Sequence, residues 1–205
     1  MKRSSRQATG PGRWACRRAG LVLAALTLGG CNSIVAQNPP TALRPVNAVR
    51  HDDVLHLMLG GRDVVSYLSA GVPVQGQVRW RSEYLGVTFY FADAANKARF
   101  ESDPAAYVPA YHGYCAMSMV YAVPRRADPD IWAVIDGRLF LFADAASLAA
   151  FRRNVATNVA QADRYWREQV DGQVAEWQRL KRFVDSVPGY KSPAELERES
   201  AAPGG

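Results

Sequence analysis

Four soft donors stand within eight residues of this chain: His112, Cys115, Met117 and Met119, in the run Tyr111-His112-Gly113-Tyr114-Cys115-Ala116-Met117-Ser118-Met119. Thiolate, imidazole and thioether are the donors a soft metal such as Cu(I) takes. If Cys115 opens a helix, Met119 lies one turn later on the same face while Met117 points elsewhere. The expectation is a two- or three-coordinate Cu(I) site made by Cys115 with His112 or a methionine. Zinc is disfavoured, because a closed structural site wants four strong N or S ligands and only His51, His56 and His112 accompany Cys115 beyond residue 31. A catalytic thiol needs an activating base; His112 is the only histidine near in sequence, and no third orienting residue can be named. A redox thiol needs only exposure, with a resolving cysteine from another molecule. The competing reading is structural: Cys115 packs as a small hydrophobe, the methionines fill the core, and His112 is a solvated loop residue.

The aromatic residues to be placed with these donors are Tyr67, Tyr107, Tyr111, Tyr114, Tyr121 and Trp132. They either line a cleft that accepts a small ligand or form the core and its rim. Asp63 suits the rim of such a cleft and equally suits a helix N-cap.

The elements that position these groups begin after a leader. Basic residues from Lys2 to Arg18, an apolar stretch from Ala19 to Leu28 and then Leu28-Gly29-Gly30-Cys31 resemble a bacterial lipoprotein signal. The apolar stretch falls well short of the roughly 20 residues a helix needs to cross a bilayer. What the resemblance implies is processing before Cys31, lipidation of its sulfur, and anchoring on the periplasmic side of the cell envelope. Asn32, in place of an inner-membrane retention aspartate, points to the outer membrane. Loss of residues 1–30 removes six basic residues and no acidic one, so the 25 basic residues of the full chain become 19 against 19 acidic. A neutral mature chain has no electrostatic footprint for nucleic acid. The same processing leaves Cys115 without an internal disulfide partner in an oxidising compartment.

Residues 31–50, with Asn38-Pro39-Pro40 and Pro45, lack periodicity and are expected as an extended tether of about 3 Å per residue. A single domain over 51–171 follows, then a C-terminal helix and mobile tail over 172–205. An internal echo organises the domain. Gly86-Val-Thr-Phe-Tyr-Phe91-Ala92-Asp93-Ala94-Ala95-Asn-Lys-Ala98-Arg-Phe100 recurs 51 residues later as Gly137-Arg-Leu-Phe-Leu-Phe142-Ala143-Asp144-Ala145-Ala146-Ser-Leu-Ala149-Ala-Phe151, nine of fifteen positions being identical. In each copy an alternating strand ends at a Phe, an Asp caps a helix, and a second Phe follows seven residues beyond the cap. Each copy has a hairpin partner, turning at Leu85-Gly86 and at Asp136-Gly137. The fold class is therefore α+β, a small pseudo-duplicated antiparallel hairpin–helix domain. Trp166, Val170, Val174, Trp177, Leu180 and Val184 recur at about 3.6 residues and predict one amphipathic helix that packs on the core or on an envelope protein. Ser192-Pro193 suits a further helix start.

Gly61-Arg62-Asp63-Val64-Val65-Ser66-Tyr67, Gly71-Val-Pro73-Val74-Gln-Gly76, Phe89-Tyr90-Phe91, Asp103-Pro104-Ala-Ala-Tyr107, Gly113-Tyr114-Cys115-Ala116, Asp128-Pro129, Asp136-Gly137-Arg-Leu-Phe140 and Ala162-Asp163-Arg-Tyr-Trp166 follow in order. Together they resemble the extended, secreted form of the YHS domain over residues 54–168. The resemblance implies a small α+β module suspected of binding metal, copper especially. Ser66, Phe91-Ala92-Asp93 and Asn96 stand where the metal-binding short form carries cysteines, so no multi-cysteine site is implied. The functional expectation is soft-metal binding at Cys115 on an envelope lipoprotein. The alternatives are a non-catalytic structural or interaction module with a buried cysteine, and a thiol-redox protein.

Overall fold

The computed structural model describes residues 33–184 and residue 198. The leader, the lipidation candidate Cys31 and the Ser192-Pro193 helix start lie outside the described residues. The elements are α1 (33–37), β1 (Ala48–His51), β2 (Val54–Met58), α2 (Val64–Ser69), β3 (Gln77–Tyr84), β4 (Val87–Phe91), α3 (Ala94–Ser102) and α4 (Pro104–Tyr107). They continue with α5 (Ala116–Met119), β5 (Asp128–Ile135), β6 (Arg138–Phe142), α6 (Ala145–Arg152), α7 (Val155–Tyr165) and α8 (Ala175–Val184). Among the described residues no helix is long and apolar enough to cross a membrane.

The two hairpin–helix units are present and match down to their irregularities. Both hairpins turn through two consecutive positive φ values, 47° and 72° at Leu85-Gly86 and 50° and 74° at Asp136-Gly137, the twist that a two-residue connection between antiparallel strands demands. Register runs Tyr84↔Val87 and Ile135↔Arg138, and a bulge falls between Gln77 and Arg81 in one copy and between Asp128 and Trp132 in the other, again 51 residues apart. Asp93 accepts from the Asn96 amide and Asp144 from the Ser147 amide, capping α3 and α6. Phe100 and Phe151, seven residues past each cap, are fully buried.

The sheets are not purely antiparallel hairpins. β1 and β2 extend the first hairpin to the order β1-β2-β4-β3, and β2 runs parallel to β4, which makes that sheet mixed. β6 explains its own run of apolar residues: Leu139 and Leu141 belong to the core shared with β4 and α3, whereas Phe140 and Phe142 belong to the core around α5 and α6. Both faces of this strand are covered, so alternation of residue type is replaced by alternation of neighbours.

Two expectations are corrected. The segment expected as a tether is folded against the domain: residues 33–37 are helical, Ala36, Leu43, Val46 and Ala48 are buried, and Ala48–His51 is the first strand. Its prolines shape a packed path that includes a cis Arg44–Pro45 bond, with the Arg44 side chain donating to the Gly172 carbonyl at 2.8 and 3.0 Å. The single helix expected from Trp166 to Val184 is two. α7 ends in a wide turn over Trp166–Val170, Gly172 takes φ +75°, and α8 starts afresh at Ala175. Glycine admits that left-handed break without a Cβ clash, and it separates the buried Val170 from the exposed Trp177.

Candidate functional site

The duplication reaches further back than the matching residues, and it places Cys115. Leu59-Gly60-Gly61 and Tyr111-His112-Gly113 both form left-handed turns, with φ of 48°, 62° and 84° in the first and 54°, 49° and 80° in the second. Gly61 and Gly113 are the shared identity, since side-chain-bearing residues rarely hold such angles. A bridge follows each turn, Arg62↔Gln75 and Tyr114↔Arg126. Next, the Asp63 amide donates to the Val74 carbonyl at 2.8 Å and the Cys115 amide to that of Arg125 at 2.9 Å. Asp63 opens α2 and Cys115 opens α5. Cys115 is thus the counterpart of Asp63.

The two counterparts differ in chemistry. Asp63 is wholly buried; one carboxyl oxygen accepts from the amides of Val65 and Ser66, and the other from the Ala92 amide at 2.8 Å and the Asn96 side chain at 2.7 Å. Every acceptor direction is used to tie α2, β4 and α3 together, which makes Asp63 a cap and clamp rather than a cleft residue. Cys115 is also wholly buried, but in an apolar cluster with Met119, Phe140, Phe142 and Phe151, and it makes no side-chain cap bond. Met117 and Met119 are buried in the same cluster, Met119 donating its amide to the Cys115 carbonyl.

His112 is engaged by its own partners. Its Nδ1 lies 3.0 Å from the Pro45 carbonyl, so Nδ1 carries the proton, and its ring stands edge-on to Trp166 at 4.7 Å. Burial lowers its pKa below the ordinary 6.5, opposed by the carbonyls of Pro45 and Leu43. Among the described residues no three of His, Cys, Asp and Glu gather where they could hold a metal ion. The sulfur donors that share surroundings are Cys115, Met117 and Met119.

The depressed His112 pKa has a consequence with a definite sign. Below about pH 6.5 the unfolded chain takes up a proton that folded His112 refuses, so this contribution to stability is complete above 6.5 and is lost as pH falls from there toward the folded value. In urea unfolding between pH 8 and pH 5, the wild type is expected to lose stability in that window. His112→Asn keeps a donor and a residue tolerant of positive φ, and should lose less; equal losses would place the titrating group elsewhere.

The aromatic residues separate into three places. Tyr67 packs edge-on against Trp132 at 5.4 Å and donates its hydroxyl to the Pro129 carbonyl. Tyr114 is a core residue whose hydroxyl faces Gln37 and the Val46 carbonyl, and burial raises its pKa. Tyr111 alone joins His112 in an open cleft of about 500 Å3, walled by Leu43, Tyr84, Val108 and Trp166 and bounded by Arg138. No family model, curated protein or solved structure matches this chain.

The polar groups of the cleft satisfy one another. Arg138 makes a two-pronged pair with Asp163 at 2.9 and 3.0 Å, and the Tyr111 hydroxyl donates to the same carboxyl at 3.0 Å. Burial pushes Asp163 up, but the bonds from Arg138 and Tyr111 outweigh it and hold its pKa below the ordinary carboxyl value. Burial, with Asp163 beside it, raises the Tyr111 pKa far above that of a free phenol. A neutralised Arg–Asp–Tyr set can orient an aromatic or polar ligand; it offers no poised proton carrier near neutral pH. Arg138 and Trp166 as cleft residues, with Asp163 as the partner of Arg138, were not legible as a site, because 28 residues separate Arg138 from Trp166 and only the motif Ala162-Asp163-Arg-Tyr-Trp166 hinted at the second part.

Proposed function

We propose that this chain is an envelope lipoprotein whose YHS-like α+β domain serves as a non-catalytic structural and interaction module, with Cys115 a core group rather than a ligand. The observation that carries it is the complete burial of the Cys115 sulfur among methionine, alanine and phenylalanine side chains at a helix start where its counterpart Asp63 is a clamp. A buried thiol in apolar surroundings is unreactive and packs as a hydrophobe. The lipid-anchored part of the reading is supported by Leu28-Gly29-Gly30-Cys31 behind a basic and apolar leader.

One experiment separates this reading from Cu(I) binding. The processed protein is expected to show no thiol titratable by an aromatic disulfide until denaturant is added, and an anaerobic Cu(I) titration against a competing chelator should give the same weak uptake for wild type and Cys115→Ala. Stoichiometric tight uptake that disappears in Cys115→Ala would replace the structural reading with a sulfur-donor copper site built from Cys115 with Met119 or Met117.

A further inference from the structure

The helix α8 is mounted with its polar face inward. Gln178 donates to the Ala122 carbonyl at 3.1 Å, and Arg179 donates to the Pro124 carbonyl at 2.8 Å and to Gln37 at 2.6 Å. Arg182 bonds to Gln169, and Ala175 sits buried at the start. On the opposite side Trp177, Leu180, Phe183 and Val184 are 65%, 51%, 86% and 70% exposed, with the exposed Lys181 among them. A helix that spends its polar groups on its own domain and turns its large apolar groups outward has reversed the usual arrangement, and the outward face calls for a cover.

What lies beside that face decides the cover. Asn38 closes the start of α8, accepting from the Ala175 amide at 2.9 Å and donating to Glu176 at 2.7 Å, and Asn38 ends the segment that begins with α1. α1 itself exposes Ile34 and Val35. Cys31 precedes Ser33 by two residues, a covalent reach of at most about 8 Å at 3.8 Å per residue. A lipid on Cys31 therefore holds α1, and through Asn38 the start of α8, at the membrane surface. Trp, Phe and Leu beside a lysine are the residues that settle at the boundary between headgroups and acyl chains.

We infer that the outward face of α8, carrying Trp177, Leu180, Phe183 and Val184, lies in the bilayer interface next to the Cys31 anchor, so that the domain is seated on the membrane by two contacts. The inference rests on the anchored reading above. The Cys31 lipid fixes where the domain sits but not which face meets the bilayer, and the apolar face of α8 supplies the second contact that sets its orientation.

The test uses processed full-chain protein reconstituted into phosphatidylethanolamine–phosphatidylglycerol vesicles with either ordinary or brominated acyl chains. Tryptophan emission is expected to fall in the brominated vesicles, and Trp177→Phe should abolish most of that fall, because Trp80, Trp132 and Trp166 are only part-exposed within the fold. Phe183→Glu, which sets a charge on the same face, should likewise reduce the fall while the Cys31 anchor keeps the chain on the vesicle. Equal quenching in wild type and Trp177→Phe would overturn the inference, as would an unquenched protein that forms a dimer broken by Phe183→Glu, which would assign the face to a second copy. Mass spectrometry of the first residue of the processed chain is read separately: an unmodified Cys31 sinks the anchored reading whatever the quenching, and a lipidated Cys31 without Trp177 quenching sinks only the seating of α8.

Discussion

Asp63→Ala is expected to lower the unfolding free energy by about 3–5 kcal/mol, against the roughly 5–15 kcal/mol that holds a domain folded. Four donors converge on its carboxyl group, from Val65, Ser66, Ala92 and Asn96. The Ser66 amide also reaches the Asp63 carbonyl at 3.1 Å and keeps a partner. Val65 is left with a buried donor facing a methyl group, costing about 1–3 kcal/mol before relaxation, and Ala92 and Asn96 with part-buried donors that cost less. Asp63→Asn keeps one acceptor but turns an NH2 toward donors, so a loss of about 2–3 kcal/mol is expected. The control is Asp130→Ala, which breaks the exposed pair with Arg62 and should stay within about 0.5 kcal/mol of wild type. Urea unfolding at constant m-value measures all three. An Asp63→Ala protein within about 1 kcal/mol of wild type would mean that the carboxyl group is kept for something other than the fold.

The pattern of what the sequence reveals follows from the range of the interactions. Turns, caps and alternating strands are local, and so both hairpin–helix units could be read from Leu85-Gly86, Asp136-Gly137, Asp93 and Asp144. The deeper duplication could not: of the two left-handed turns only Gly61 and Gly113 match, and the rest of the likeness is in φ angles held by Leu59, Tyr111 and His112. The packing of residues 33–51 was hidden for a different reason. Prolines there are as common as in a linker, and the residues that bury, Ala36, Leu43, Val46 and Ala48, follow no period because residues 38–47 between the helix and β1 form neither helix nor strand. The C-terminal pattern misled through its very regularity, since spacing at 3.6 residues continues across Gly172 although the chain breaks there. Around Cys115, the alternative of a buried sulfur was legible from residue type. The His112–Pro45 bond, spanning 67 residues, was not.

Phe100→Ala and Phe151→Ala are each expected to cost about 3–5 kcal/mol and to do so within one unfolding transition. Phe100 stacks with Phe89 at 4.6 Å and Phe91 at 5.0 Å, and Phe151 lies 5.3 Å from Phe142 and 5.9 Å from Phe140. A duplicated chain raises the question of whether its halves melt separately. β6 argues that they do not: its leucines close the core that holds Phe100, while its phenylalanines close the core that holds Phe151. Neither core survives withdrawal of that strand, so a cavity in either half is felt by the whole. Both variants should therefore lower the midpoint of a single transition, with coincident tryptophan fluorescence and far-ultraviolet circular dichroism and an m-value equal to that of wild type. Two separated transitions in Phe151→Ala, with the half containing Phe100 persisting, would show that the duplicated units are independent folding units and that β6 merely touches the first of them.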